Sequence, residues 1–376
     1  DIIAKMLKKL AYTLGGVVFF AAAGAGAAVN IAVIAPEEGE YQEFGRQIIE
    51  GVRIAVNEIN RSGGLKGEKI NLITVDERCN DSLAVSTAQM MAVNVSEADK
   101  VSLVIGPYCS NALEQVVDIY TKAKIFQILP IPVNSGRLEG EHPGLVKLAG
   151  YKDAQSVDFY NYYNKRFAGE KVALIYDSND RDIIDIAAAL QQEFKKNGKL
   201  DMLQAYSYAS YDDIDALSEE VLKDDLHIAY VLGSPQQVAE ISRELKSEKE
   251  EFVIFSNKYA AQEDYFKIMG RYGDENYYIG FPSLQNNPDF AATLVNLRLL
   301  GIEPEGLGVY GFSAVKLWED LVKKSDSFAY EKLADTLKKE TINTTWGNVS
   351  FQNGAPADTF NFGISRRRDG QYTQVY

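Results

Sequence analysis

The sequence predicts an α/β protein of two lobes, each built on an open parallel sheet, and three observations predict it. Its 376 residues suffice for two medium domains with separate cores. From Val29 onward, short apolar runs alternate with amphipathic stretches, the pattern of βαβ units. That alternation comes in two series of the same class, and between them Gly150 supplies a flexible joint.

The first series opens with a buried strand over Ile31 to Ala35. A helix over Gly45 to Asn60 follows, with Ile48, Ile49, Val52, Ala55, Val56 and Ile59 on one face. Ser62-Gly63-Gly64 stops it, because glycine tolerates the left-handed conformation that ends a helix. Ile70 to Val75 is the next strand, Ser82 to Val95 a helix, Val101 to Ile105 a strand, Asn111 to Lys122 a helix and Ile125 to Leu129 a strand. Pro130 and Pro132 end that last strand, and Val146 to Leu148 reads as one more extended piece.

The second series runs through a helix (Asp153 to Phe167), a strand (Val172 to Tyr176), a helix (Asp182 to Asn197) and an extended piece (Met202 to Tyr208). It continues with helix Ile214 to Leu222, strand Ile228 to Leu232, helix Pro235 to Lys246, strand Phe252 to Phe255 and helix Ala261 to Gly270. Tyr277 to Phe281 is extended again, and Asp289 to Leu300, Val309 to Lys324 and Tyr330 to Lys339 are amphipathic helices. The tail from Gly347 to Tyr376 reads as short strands turned at Asn353-Gly354 and Asp369-Gly370.

The net charge of -14 excludes a phosphate-backbone partner, since nucleic-acid binders concentrate basic charge on one face. Lys5, Lys8 and Lys9 precede an apolar run from Leu10 to Ala23 and small residues through Ala28, which is the grammar of a cleaved export signal over residues 1–28, the alternative being an uncleaved anchor with the apolar stretch extended through Ala28. The exported chain then begins near Val29 and is periplasmic or otherwise extracytoplasmic. In such a compartment Cys79 and Cys109 are expected to pair, the alternative being two separate buried thiols. Their spacing fits neither a redox pair nor a zinc cluster, and no metal or cofactor is expected.

Catalytic signatures are absent from the sequence. His142 and His227 are the only histidines, and there is no GxSxG, HExxH, P-loop or GxGxxG after the first strand. Asp212, Asp213 and Asp215 open a helix, where acidic residues suit the dipole. Ligands of open α/β sheets sit outside the carboxyl ends of the strands. The informative loops are therefore Pro36 to Phe44, Gly106 to Asn111, Pro130 to Ser135 and Asp177 to Asp182. Ser110 stands at an expected helix N-cap, where it either caps alone or joins the free N–H groups behind it in binding an anion.

Phe44-Gly45, the run EGVRIAVNEINRSGG from Glu50 to Gly64, LKGEKI from Leu65 to Ile70, Val75-Asp76, Cys79-Asn80-Asp81, Val104-Ile105-Gly106, Cys109-Ser110 and Leu148-Ala149-Gly150 together carry a resemblance. The chain resembles the leucine/isoleucine/valine-binding proteins of bacterial ABC transporters. The resemblance implies a type I periplasmic-binding-protein fold, with two Rossmann-like lobes joined by three hinge crossings near Lys147 to Tyr151, Ile279 to Ser283 and Trp346 to Ser350. Residues 29–149 with 281–346 would form one lobe, and 150–280 with 347–376 the other. It also implies that Cys79 and Cys109 occupy the positions of the family's disulfide.

By that resemblance Phe44 packs on the ligand and Ser110, with Asn111 beside it, binds a carboxylate. Ile131 and Val133 stand where the family places a small residue and a threonine, and neither side chain donates a hydrogen bond. In the second lobe Arg181 and Asn257 stand where the family offers a tyrosine segment and an acidic partner for an ammonium group. Arg181 would suit an acidic group on the solute. The implied function is a monomeric, non-enzymatic receptor that closes on a small polar solute, an amino acid among the candidates, and delivers it to an ABC permease in the membrane. The alternatives are a clamp that signals to a membrane partner and an enzyme on the same scaffold.

Overall fold

The computed structural model describes residues 19–20, 28–39, 41–93, 99–109, 111–138, 140–224, 226–257, 263–280, 295, 298–299, 306–345, 347–357 and 362–376. The chain divides into two compact units, Asp1–Tyr151 with Leu284–Phe360 and Lys152–Ser283 with Asn361–Tyr376. The helix expected over Asp289 to Leu300 and most of the segment read as an export signal lie outside the described residues, apart from positions 19, 20, 28, 295, 298 and 299.

In the first unit, Phe19–Phe20 (β1), Ala28–Ile34 (β2), Lys69–Val75 (β3), Val101–Ile105 (β4), Phe126–Leu129 (β5) and Leu145–Lys147 (β6) form one sheet in the order β1-β3-β2-β4-β5-β6. All pairings are parallel except β1 with β3. The strands read as continuous apolar runs because both faces are covered, and Ile31, Ala32 and Val33 are fully buried. Helix Gln42–Arg61 buries its predicted stripe through Ile48, Ile49, Val52, Ala55, Val56 and Ile59. It packs against helix Gly308–Ser325 at backbone-to-backbone distance: a Cβ on Gly51 would lie 1.9 Å from the Gly308 carbonyl oxygen, and one on Gly311 would lie 2.1 Å from that of Ile48. Only glycine fits such an approach.

In the second unit, Val172–Asp177 (β7), Leu203–Tyr208 (β8), Ile228–Leu232 (β9), Val253–Asn257 (β10) and Tyr277–Gly280 (β11) run in parallel in the order β11-β10-β9-β7-β8. Gly363–Arg368 extends the sheet antiparallel beside β11, and Gln371–Gln374 extends it again. Two apolar layers cover the sheet, one including Val221, Ile241 and Tyr265, the other Phe159, Tyr163, Ile186 and Phe194. Asp158 is buried in this unit and accepts the Phe362 N–H at 2.8 Å, which fixes the point where the tail joins; burial pushes its carboxyl up to about 6.

Two sequence readings need correction. The tail does not belong whole to the second unit, since residues 347–357 pack in the first. There the hairpin Phe351–Gln352/Ala355–Pro356 lies beside β6, the Lys147 N–H donates to the Gly354 carbonyl at 2.6 Å, and Phe351 and Ala355 are buried. The helix expected from Asn111 instead starts at Leu113, with Ala112 at its N-cap and no side-chain cap. Leu113, Val116, Val117 and Tyr120 are its buried positions, and Ala112 is buried ahead of them at the N-cap. Both predicted two-residue turns are present, with positive φ at Asn353, Gly354, Asp369 and Gly370 as a type I′ turn requires.

Candidate functional site

The first sheet reverses its strand order at β2: the chain passes from β2 to β3 on one side, then crosses to β4 on the other. Loops at the carboxyl ends of β2 and β4 therefore flank a switch point, the place where open α/β sheets accept ligands. Three rings gather there. Phe44, 4% exposed, stacks on Tyr108 with centroids 6.2 Å apart and planes 12° apart, and Tyr41 lies 5.9 Å from Tyr108 and 6.4 Å from Phe44. Tyr41 and Tyr108 escaped the sequence reading, although both stand in loops it singled out.

Two buried carboxylates at the end of β3 hold these loops. Asp76 accepts the Glu37 N–H at 3.1 Å and the Arg78 N–H at 2.9 Å through one oxygen. Glu77, fully buried, accepts the N–H groups of Tyr108 at 2.9 Å and Cys109 at 3.0 Å through Oε1, while its Oε2 is buried without a partner. Burial pushes the Glu77 carboxyl up to about 8; the two N–H donors oppose the rise, and the nearby carboxylates of Asp76 and Asp81 add to it. Arg78 and Cys79 both have positive φ, an uncommon conformation for non-glycine residues, and a Cys79–Cys109 disulfide ties this turn to the β4 loop. The expected pairing of the two cysteines is thus present.

Of the other residues named in the first lobe, Ser110 lies outside the described residues, and Asn111 is exposed in the turn before helix Leu113–Ala123. Ile131 is half-buried. Val133 is 4% exposed and packs among Leu113, Val117, Leu129 and Leu145, while its N–H donates to the Gly150 carbonyl at 3.3 Å.

The second sheet has its own switch point at β7, flanked by the loops after β7 and β9. Asp180 caps helix Arg181–Lys196 by accepting the N–H groups of Asp182 and Ile183, and Arg181 is that helix's exposed first residue. Ser234 and Gln237 form a capping box on helix Pro235–Glu248, and Gln237 also donates to Asp177 at 3.2 Å. A side chain at Gly233 would have to displace the Tyr208 hydroxyl, because a Cβ there would lie 2.0 Å from it, and that hydroxyl donates to the Leu232 carbonyl at 3.1 Å. Asn257 ends β10 at 5% exposure, and its Oδ1 is buried without a hydrogen-bond partner. A buried acceptor left unpaired is costly, so it is a point where a donor would be gained.

Chemically, the switch point of the first sheet offers a ring platform on rigidly held loops, and that of the second offers polar groups at capped helix starts. Among the described residues, no cluster of three or more metal-ligating side chains occurs and no helix is long and apolar enough to cross a membrane. Asp213, one of the acidic residues expected to open a helix, accepts the N–H groups of Ala209 and Ser210, which hold its carboxyl below the usual range.

A family profile described as periplasmic binding protein matches residues 28–363. An amino acid binding protein of Pseudomonas aeruginosa is 24% identical over 355 residues, with 92% of each chain covered. The branched-chain amino acid transporter substrate-binding protein of Streptococcus pneumoniae, solved with isoleucine, superposes with a TM-score of 0.78 at 20% identity, covering 92% of this chain and 97% of that one. A solute-binding protein of an ABC transporter from R. palustris, solved with benzoate, gives 0.76 at 16% identity, covering 93% and 95%.

Proposed function

Because the chain belongs to the periplasmic binding protein family, we propose that it is the extracytoplasmic solute receptor of an ABC transporter and that its solute is an amino acid or a related small polar molecule. The observation that carries this reading is the ring cluster of Tyr41, Phe44 and Tyr108 at the switch point of the first sheet, on loops pinned by Asp76, Glu77 and the disulfide. Such a platform suits the apolar part of a solute.

The polar part is assigned to Ser110, Asn111 and the main chain around Ile131 and Val133, with Arg181 and Asn257 contributing from the second unit. Asn257 in place of a carboxylate weakens the case for a simple aliphatic amino acid, because a buried ammonium then lacks its counter-charge. Arg181 favours a solute with an acidic group. The hinge closure that the family resemblance implies would follow from a solute that interacts more strongly with the closed state than with the open one. Removal of residues 1–28 as an export signal accords with a family match that begins at residue 28.

The test is a thermal-shift panel of amino acids, amides, dicarboxylates and aromatic acids on the chain from Val29, since a ligand of the native state alone raises the melting temperature. A saturable rise with leucine, isoleucine or valine means that the exchanges at Val133 and Asn257 are compensated. A rise only with acidic or uncharged solutes means that they have changed the specificity. No rise with any member of the panel overturns the amino-acid reading.

A further inference from the structure

We propose that the cavity beside Lys147 in the first unit is a second binding site, which takes a small organic monocarboxylate. The cavity holds about 400 Å³ and lies beside β6, the edge strand of the sheet. Its walls are the loop Gly140 to Pro143, Lys147 itself, helix Tyr330–Lys339 through Ala334, Leu337 and Lys338, and the hairpin Phe351 to Gly354. None of the loops at the switch points contributes to it, so the inference is independent of the proposed function.

Lys147 is the reason to assign a ligand. The residue is 5% exposed, and among the described residues no carboxylate lies within ion-pair distance of its ammonium. The ring of Tyr151 lies against it, 5.3 Å away at the centroid. Burial pushes its pKa down. A buried ammonium without a counter-charge is unfavourable, and an incoming anion removes that penalty. The lysine is also held in place, because its N–H bonds to the Gly354 carbonyl. Gly354 itself cannot be replaced: its φ is +75°, and a Cβ there would lie 2.2 Å from the Leu145 carbonyl oxygen.

The remaining walls set the ligand class. Pro143, Ala334, Leu337 and Phe351 are apolar, whereas Lys338 and His142 are basic and Glu141 is the single acidic residue. His142 already contacts the Thr121 hydroxyl at 3.3 Å. One buried cation beside four apolar side chains fits one carboxylate on a short hydrocarbon body, and the volume lies within the ordinary range for small-ligand pockets. An amine would meet Lys147 with like charge.

The experiment is calorimetric titration of the chain from Val29 with hexanoate, with hexylamine as the charge control, in the wild type, Lys147→Met and Phe44→Ala. Saturable hexanoate binding is expected, weakened at least tenfold by Lys147→Met, changed less than twofold by Phe44→Ala, and absent for hexylamine. Lys147→Met exchanges a buried ammonium for an apolar side chain of similar length, so its melting temperature without ligand should equal or exceed that of the wild type. Leu337→Trp, which fills the cavity and keeps Lys147, should also abolish hexanoate binding. Absence of saturable binding, equal binding of hexylamine, or binding lost in Phe44→Ala but kept in Lys147→Met overturns the proposal.

Discussion

The carboxyl edges of the two sheets share a reversed strand order yet hold their loops by different means. In the first unit the anchors are distant in sequence and buried: Asp76 reaches Glu37 across 39 residues, Glu77 reaches Tyr108 and Cys109 across 31 and 32, and the disulfide spans 30. In the second they are mostly local, with Asp180 serving the N–H groups two and three residues ahead and Ser234 serving Gln237. A long-range pin couples two loops, so its loss should disturb both. A local cap stabilises its own helix end.

Breaking the disulfide should have the largest effect on this contrast. Closing a loop of 30 residues stabilises a fold by about 3 to 4 kcal/mol in the chain-entropy account. Cys79→Ser with Cys109→Ser should cost that much in urea-monitored unfolding. It should also loosen the turn at Arg78-Cys79, visible as faster hydrogen exchange at Tyr108 and Cys109. A cost below about 1 kcal/mol would mean that Asp76 and Glu77 alone fix the loops.

Glu77→Ala comes next, at about 2 to 3 kcal/mol, because it leaves the Tyr108 and Cys109 N–H groups without their acceptor. Glu77→Gln keeps an acceptor and removes the titration. The folded carboxyl is raised from an ordinary 4.5 to about 8, so the folded state binds this proton more tightly than the unfolded state does. Its contribution is therefore fully present below about 4.5 and is lost as pH rises through about 8. The melting temperature of Glu77→Gln relative to wild type should climb across that window, and a flat difference would show that Glu77 ionises normally.

This same contrast explains what could be read from the sequence. The strands and helices were legible because apolar periodicity is local: Val101–Ile105, Ile228–Leu232 and Tyr330–Lys339 match to the residue. The turns at Asn353-Gly354 and Asp369-Gly370 were legible because their dipeptides favour positive φ. Asp76 and Glu77 were not, since nothing local distinguishes a carboxylate that will accept N–H groups some 30 residues away from one facing solvent. Tyr41 and Tyr108 likewise read as loop aromatics until the strand order brings β2 beside β4. The division of the tail was missed because the pairing of Gly363–Arg368 with β11 and the packing of Phe351 beside β6 are both non-local.

The smallest effect tests the local half of the contrast. Asp180→Ala and Ser234→Ala each remove a side-chain cap, at helix Arg181–Lys196 and helix Pro235–Glu248, and each should cost about 1 kcal/mol. If the caps act only on their own helices, the double variant should cost the sum of the two within about 0.5 kcal/mol. The Gln237 bond to Asp177 is a direct route by which they could couple, since it links the loop after β9 to the end of β7. A coupling energy above about 1 kcal/mol would make the second edge a network like the first. Repeating the cycle in Gln237→Ala, which cuts that link, should then restore additivity.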